Sequence, residues 1–173
     1  MIELKKMVAD ASIIEDIYAN VNQENCLVQL KTPLPTDQLQ QYLQAIEVGK
    51  VKDKPFICFG IYQDDAVVGK IELSRYEDGS AELDLVLKEE YCNQKIGREA
   101  LNQLEEYVKE NFWCKRIVAY VNEENEAMIH LLNACKYIET KPFKADIMVL
   151  NEGEYQLKTI QGIEFTKQLQ QQL

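Results

Sequence analysis

The feature that most constrains the fold is a change of hydrophobic period near residue 96. Before that point lie three short apolar or alternating runs separated by turns, at residues 55–62, 66–76 and 80–87. Such runs predict a meander of antiparallel strands. Apolar residues then recur at helical spacing over about 97–110, and residues 115–121 form another strand. A strand–helix–strand unit within one sheet predicts a right-handed crossover and one parallel pair.

The flanking segments extend this order on both sides. A first strand at residues 2–7 precedes two predicted helices at 12–21 and 36–48. A fourth helix at 125–135 and two more strands at 143–150 and 154–160 follow the crossover. The sequence therefore predicts an α/β (α+β) fold with a mixed, mostly antiparallel sheet of about six or seven strands and about four helices. With 173 residues and no repeat or linker, it predicts a single domain over 1–173 with a polar tail at about 166–173.

Charge and cysteine usage exclude several classes of protein. Nineteen basic against 29 acidic residues give a net charge of −10, which disfavours nucleic acid as a partner and is compatible with a cationic one. No apolar run reaches the roughly 20 residues of a membrane helix, and the start does not match a secretory signal. Five scattered cysteines without a CxxC pair, and one histidine, predict no metal site and a reducing, cytoplasmic location.

Two segments carry a family resemblance. The run AELDLVL at 81–87, followed by EYCNQKIGREAL at 90–101, and the segment 121–137 together resemble the GNAT (GCN5-related) N-acetyltransferases. The branch that acetylates ribosomal-protein N-termini and polyamines is the most similar. The resemblance covers essentially the whole chain and implies a GNAT-like sheet, acetyl-CoA or CoA as cosubstrate, and direct attack of an amine on the thioester.

The cofactor loop of that family has the pattern Q/R-x-x-G-x-G/A, and it falls on residues 92–97. Gly97 keeps the last glycine, whereas Cys92 and Lys95 replace the first residue and the central glycine. Free N–H groups at a helix start favour a bound pyrophosphate, although an ordinary glycine at a helix start gives the same letters. The resemblance implies these cofactor-binding residues: Leu85, Val86, Leu87, Cys92, Asn93, Gln94, Lys95, Ile96, Gly97, Arg98 and Asn125.

The last helix departs from the family at the position of a tyrosine that protonates the leaving thiolate. Leu132 stands there and cannot donate a proton. Together with Met128 and Leu131 it also matches plain core packing. His130 is expected to be an exposed helix residue, and Tyr120 or Tyr137 are the alternative acids.

Two carboxylates are the candidate catalytic groups. Alternation puts Glu82 and Asp84 on one face of strand 80–87, with Glu72 on the preceding strand as a weaker neighbour. A partly buried carboxylate there would accept a proton from an ammonium substrate, and Glu82 is the preferred candidate because members of the family often place a glutamate on this strand. The alternative interpretation is that Glu82 and Asp84 are solvated residues on the polar face of the strand.

Two functions remain open from the sequence. The first is an N-acetyltransferase acting on a polyamine, a small amine or a peptide N-terminus, as a monomer or homodimer. The second is a catalytically impaired GNAT-fold protein with a binding or regulatory role that still holds CoA, as the changes at Cys92, Lys95 and Leu132 suggest.

Overall fold

A computed structural model describes residues 1–169 and confirms the predicted fold class. Eight strands, four helices and one 3-10 turn at Glu89–Tyr91 follow one another along the chain. The elements are β1 (Ile2–Lys6), α1 (Ala11–Ala19), α2 (Thr36–Val48), β2 (Lys50–Val51), β3 (Lys54–Gln63), β4 (Ala66–Arg75), β5 (Ser80–Leu87), α3 (Ile96–Asn111), β6 (Arg116–Asn122), α4 (Glu126–Ala134), β7 (Ile138–Asn151) and β8 (Glu154–Gln168). The sheet order is β1-β3-β4-β5-β6-β8-β7, with the short β2 paired to β3.

Helices cover both faces of this sheet, and each face has its own apolar cluster. The larger cluster joins α3 and α4 to the sheet through residues such as Leu101, Leu104 and Leu132. The smaller one joins α1 and α2 to the opposite face through Ile14 and Ile17. The two layers arise because the central strands are apolar on both faces, as in sheets covered by crossover helices.

Within residues 1–169, no helix has the length and apolarity that would let it cross a membrane.

Strand β5 is paired on its two sides over very different lengths. It pairs antiparallel with β4 from Ala81 to Leu87, but it pairs parallel with β6 only from Ser80 to Glu82. The crossover through α3 joins β5 to a parallel β6 as predicted, and the two strands separate beyond Glu82. The second half of β5 therefore has one hydrogen-bonding edge that no strand of the described chain occupies.

The last two strands are longer than the sequence predicts. β7 begins at Ile138 rather than at 143, because its exposed first residues, with Pro142 at the edge, lack an alternating pattern. β8 runs to Gln168 rather than to 160. Gly162 interrupts the apolar pattern there, and a Cβ at that position would lie 2.1 Å from the Phe143 ring. Close packing of that ring explains the glycine.

The polar tail predicted for about 166–173 is therefore wrong in its first part. Thr166 to Gln168 pair with β6, and Leu169 is buried. Lys167 Nζ contacts Glu105 Oε1 of α3 at 2.6 Å and the Cys135 carbonyl at 2.8 Å. Residues 170–173 lie outside the described residues.

The Lys167 contact predicts a measurable loss of stability on substitution. Lys167→Met leaves the buried Glu105 carboxylate without its cation, so we expect the free energy of unfolding to fall by about 3 kcal/mol. Lys158→Met, on the exposed part of the same strand, is the matched control and should stay within about 0.5 kcal/mol. Urea denaturation measures both, and equal stability of the two variants would contradict a structural role for Lys167.

Candidate active site

The separation of β5 from β6 opens a cavity of about 470 Å³ beside the free edge of β5. Leu85, Val86 and Leu87 form one wall, and the loop into α3 forms the floor. Their backbone groups pair with β4 on one side only, so the edge facing the cavity is free to pair with an extended, amide-containing chain.

The first turn of α3 presents its backbone N–H groups without a side-chain cap. Lys95 is the N-cap residue, and its φ of 63° lies in the left-handed region. This geometry explains why the family prefers glycine at that position. Gly97 follows in the first turn, and a Cβ there would lie 3.3 Å from Leu131 Cδ2 and 3.6 Å from Leu85 Cδ2. The helix start thus approaches the cavity walls closely and offers free donors to an anion.

The charge of the cavity lining is opposite to that of the chain. Among residues 1–169, the lining contains Lys95, Arg98 and His130 but no aspartate or glutamate, although the chain carries 29 acidic residues. The N-terminus of α3 adds its positive dipole end. This cavity is suited to an anionic ligand.

The structure brings the implied cofactor residues together with one exception. All of them line the cavity except Gln94, whose side-chain amide donates to the Glu90 carbonyl at 2.9 Å outside it. Asn125 caps α4 by accepting from the Met128 N–H at 3.2 Å. Cys92 lines the cavity, and burial and then the nearby Glu89 raise the pKa of its thiol, which disfavours the thiolate form.

One wall of the cavity was not expected from the sequence. The loop after α1 contributes Val21, Asn22 and Cys26. The neighbouring Asn25 donates to the Glu124 carbonyl at 3.3 Å and so joins this loop to the start of α4. These are long-range contacts between irregular segments, and no local pattern in the sequence signals them.

Helix α4 presents different residues to the cavity than the family motif suggests. Met128, Leu131 and the exposed His130 line it, whereas Leu132 is fully buried in the core and does not. Tyr137, one of the alternative acids, is also buried and donates to Glu105 Oε2 at 3.1 Å. Neither Leu132 nor Tyr137 therefore delivers an acid to the cavity.

The candidate carboxylates lie on the sheet face beneath α1 and α2, which we call the acidic face and define by Glu72, Glu82, Asp84 and Glu164. Cross-strand register aligns Glu72 with Asp84, and Glu82 lies two residues earlier on β5. Asp84 is the exposed member, with 58% of its side chain accessible. Burial and then the charge of Asp84 raise the pKa of Glu82 above its usual value.

Aromatic side chains surround Glu82 on this face. The neighbouring Tyr76 partly offsets this rise in the pKa of Glu82. Tyr120 of β6 lies opposite Glu164 in the strand register, and its ring meets Phe143 edge-on at 5.7 Å between centroids. Glu72 differs from Glu82, because its Oε2 already accepts from the Tyr42 hydroxyl at 2.6 Å and lies 3.0 Å from Lys70 Nζ. Glu82 therefore stays the preferred candidate for a proton acceptor.

The cavity and the acidic face meet at the edge of β5. Cys26 lines the cavity, and burial and then the charge of Asp84 raise the pKa of its thiol to about 11. The lining residues Leu85, Val86 and Leu87 directly follow Asp84 along β5. The arrangement places a cavity lined by cationic side chains and a group of carboxylates on two sides of one strand.

Comparison with known sequences identifies the class of this fold and site. The acetyltransferase (GNAT) domain matches residues 3–137, and the chain belongs to the GNAT acetyltransferase family. The predicted assignment to acetyl-CoA-dependent N-acetyltransferases is confirmed at the level of the family. No curated protein sequence matches significantly.

Solved structures share the fold over nearly their whole length. A putative acetyltransferase from Salmonella typhimurium, solved with acetyl-CoA, has a TM-score of 0.74 at 14% identity, covering 100% of this chain and 96% of its own. Ribosomal-protein-alanine N-acetyltransferase from Brucella melitensis gives 0.73 at 19% identity, covering 98% and 99%. Spermidine N-acetyltransferase from Vibrio cholerae, solved with CoA and spermine, gives 0.73 at 18%, covering 97% and 95%. The latter two represent the branch that the sequence resembles.

The packing around Gly97 predicts a loss of cofactor affinity on substitution. Gly97→Val places a branched side chain against Leu131 and into the cavity, so we expect CoA binding to weaken at least about tenfold, roughly 1.4 kcal/mol. Gly97→Ala, which needs a shift of only a few tenths of an ångström, is the matched control with a smaller loss. Calorimetric titration with CoA measures both, and unchanged affinity in a folded valine variant would rule out this site.

Proposed function

We propose that this protein transfers the acetyl group of acetyl-CoA to a primary amine that binds as a cation on the acidic face. The observation that carries the proposal is the division of charge about the free half of β5. The cavity on its edge is lined by cationic groups without carboxylates among the described residues, and the adjoining sheet face bears Glu82, Asp84 and Glu164. An anionic donor and a cationic acceptor would thus meet at one strand.

The cavity residues fit the chemical parts of CoA. The free edge at Leu85, Val86 and Leu87 would pair with the pantetheine amides as an added strand would. The uncapped N–H groups of the first turn of α3, with the charges of Lys95 and Arg98, would hold the pyrophosphate. Cys92, Asn93, Ile96 and Gly97 complete the proposed binding loop, whereas Gln94 lies in that loop but outside the cavity. Asn125 would contact the ligand from the start of α4.

The acetyl donor supplies an activated thioester, and the chain supplies orientation and a proton acceptor. Glu82 accepts the proton of the incoming ammonium, and its raised pKa brings it closer to the working pH of a general base. A backbone N–H near Val86 polarises the acetyl carbonyl. Asp84 attracts the ammonium to the point where the thioester lies.

A multiply charged amine, such as a polyamine, is the acceptor that we propose among those left open by the sequence. Its second cation would bind beside Glu164, with Tyr120 and Phe143 contacting the alkyl chain and the ammonium group. The Vibrio cholerae neighbour, solved with spermine, is an enzyme of that kind. A peptide N-terminus offers fewer charges for the same face.

The acceptor proposal predicts that rate depends on the charge of the amine. We expect kcat/KM for 1,4-diaminobutane to exceed that for n-butylamine by about twofold to fivefold, because an exposed ion pair contributes about 0.2–1 kcal/mol. Spermidine should be better again, and 1 M salt, where the Debye length is about 3 Å, should shrink the difference. Acetyl-CoA turnover measures this series. Equal rates for all amines would contradict the acceptor class, and binding of acetyl-CoA without any turnover would favour the regulatory alternative.

The assignment of Glu82 predicts a change in the pH profile. A base acts when deprotonated, so wild-type kcat/KM should fall as the pH drops through the raised pKa of Glu82. Glu82→Gln should lower kcat by about 10²–10⁴-fold and remove that acidic limb. Glu77→Gln, an exposed turn residue nearby, is the matched control. A Glu82→Gln enzyme with full activity and an unchanged limb would exclude Glu82 as the base.

A further inference from the structure

Lys70, in the middle of β4, is fully enclosed by protein, with 1% of its surface accessible. Lysine is almost never buried to this degree unless its charge is paired. The side chain lies on the sheet face beneath α1 and α2, which is the face that carries Glu82 and Asp84. Neither the proposed donor cavity nor the proton transfer uses it.

Charged and aromatic groups from four elements face the Lys70 ammonium. Its Nζ lies 3.0 Å from Glu72 Oε2 and 3.5 Å from Asp84 Oδ2. The rings of Tyr18 and Tyr42 cover it at 5.3 and 4.8 Å to their centroids. Cys58 of β3 completes the group through its 3.4 Å contact with the Tyr42 hydroxyl.

The two carboxylates around this ammonium are held differently. Glu72 also accepts from the Tyr42 hydroxyl at 2.6 Å and is enclosed. Asp84 is 58% exposed, and Lys70 is the charged group that it contacts among the described residues. Burial by itself would lower the pKa of Lys70, but Glu72, Tyr42 and Asp84 hold it above its ordinary value, so the ammonium keeps its charge.

We propose that Lys70 is a positioning residue for acetyl transfer, which fixes the Asp84 carboxylate at the edge of β5 where the acceptor amine enters. This inference rests on the proposed function. Asp84 lies two residues beyond Glu82, the last residue of β5 that pairs with β6. No strand of the described chain restrains that side of β5 at Asp84, so a fixed cation inside the sheet face sets the direction of its side chain.

The arrangement also explains why a cation is buried there. Tyr18 on α1 and Tyr42 on α2 pack on the Lys70 ammonium. Both helices above the acidic face therefore contact the same ammonium that holds Asp84. The Lys70 charge further offsets the repulsion between Glu72 and Asp84, which face each other in register. Lys70 does not contact the acceptor and acts through Asp84.

The test removes the Lys70 charge without leaving Glu72 unpaired. Lys70→Met alone would strand a buried carboxylate, so the working variant is Lys70→Met/Glu72→Gln, which keeps the net charge. Asp84→Asn, at an exposed position, serves as the second variant and does not disturb the enclosed pair. Melting curves and acetyl-CoA titration of each variant establish that it folds and retains the donor site.

We expect both variants to raise KM for 1,4-diaminobutane about tenfold while kcat stays within about threefold, because the interaction that each variant removes serves acceptor binding. The affinity for acetyl-CoA should stay within about twofold of wild type. Adding Asp84→Asn to Lys70→Met/Glu72→Gln should raise KM for 1,4-diaminobutane by less than about a further twofold. The effects of substitutions that remove the same contact are not additive. A purely structural role would lower kcat and the melting temperature together and leave the two changes additive.

Two results would overturn the role of Lys70. One is an Asp84→Asn enzyme with wild-type KM for the amine, a result that does not depend on how well the double variant folds. The other is full additivity of the two changes. A wild-type protein that binds acetyl-CoA but acetylates no amine would instead overturn the proposed function, and with it the acceptor role that Lys70 supports.

Discussion

The structure depends on how far β5 stays paired with β6. Three residue pairs hold the two strands parallel, and beyond Glu82 they separate. The crossover through α3 leaves the end of β5 and returns to the start of β6 in the same sheet, which makes this pair parallel. The separation creates the cavity, frees the edge of β5, and brings the start of α3 to the cavity floor. Each feature of the site follows from that one interruption.

Electrostatics sets the second constraint. A chain with a net charge of −10 repels CoA phosphates at long range. The structure compensates locally, because the cavity lining, over the described residues, excludes carboxylates and includes the N-terminus of α3 with Lys95 and Arg98. Four carboxylates lie instead on the adjoining sheet face, where the buried Lys70 keeps Glu72 and Asp84 close together. Opposite charges are thereby sorted onto the two sides of one strand.

The features that sequence predicts here are local ones. Alternation placed Leu83 and Glu82 on opposite faces of β5, and the family motif located many of the residues that line the cavity. Contacts between distant segments escaped prediction. The loop containing Cys26 has no periodic pattern, and its position depends on contacts with the start of α4. The burial of Lys70 also escaped prediction, because a single cation in an apolar run gives no sign of the carboxylates and tyrosines that enclose it.

The fate of the leaving thiolate follows from where the phenols lie. Leu132 occupies the position of the family's tyrosine but points into the core, and Tyr137 is bound to Glu105 there. Tyr120 lies on the acidic face, opposite Glu164 in the register of β6 and β8. None of these three side chains brings a proton to the cavity, and a thiol with an ordinary pKa of about 8.5 is a competent leaving group near neutral pH. Under the proposed function, Glu82 and positioning would carry the reaction, and water or the acceptor's own proton would neutralise the thiolate.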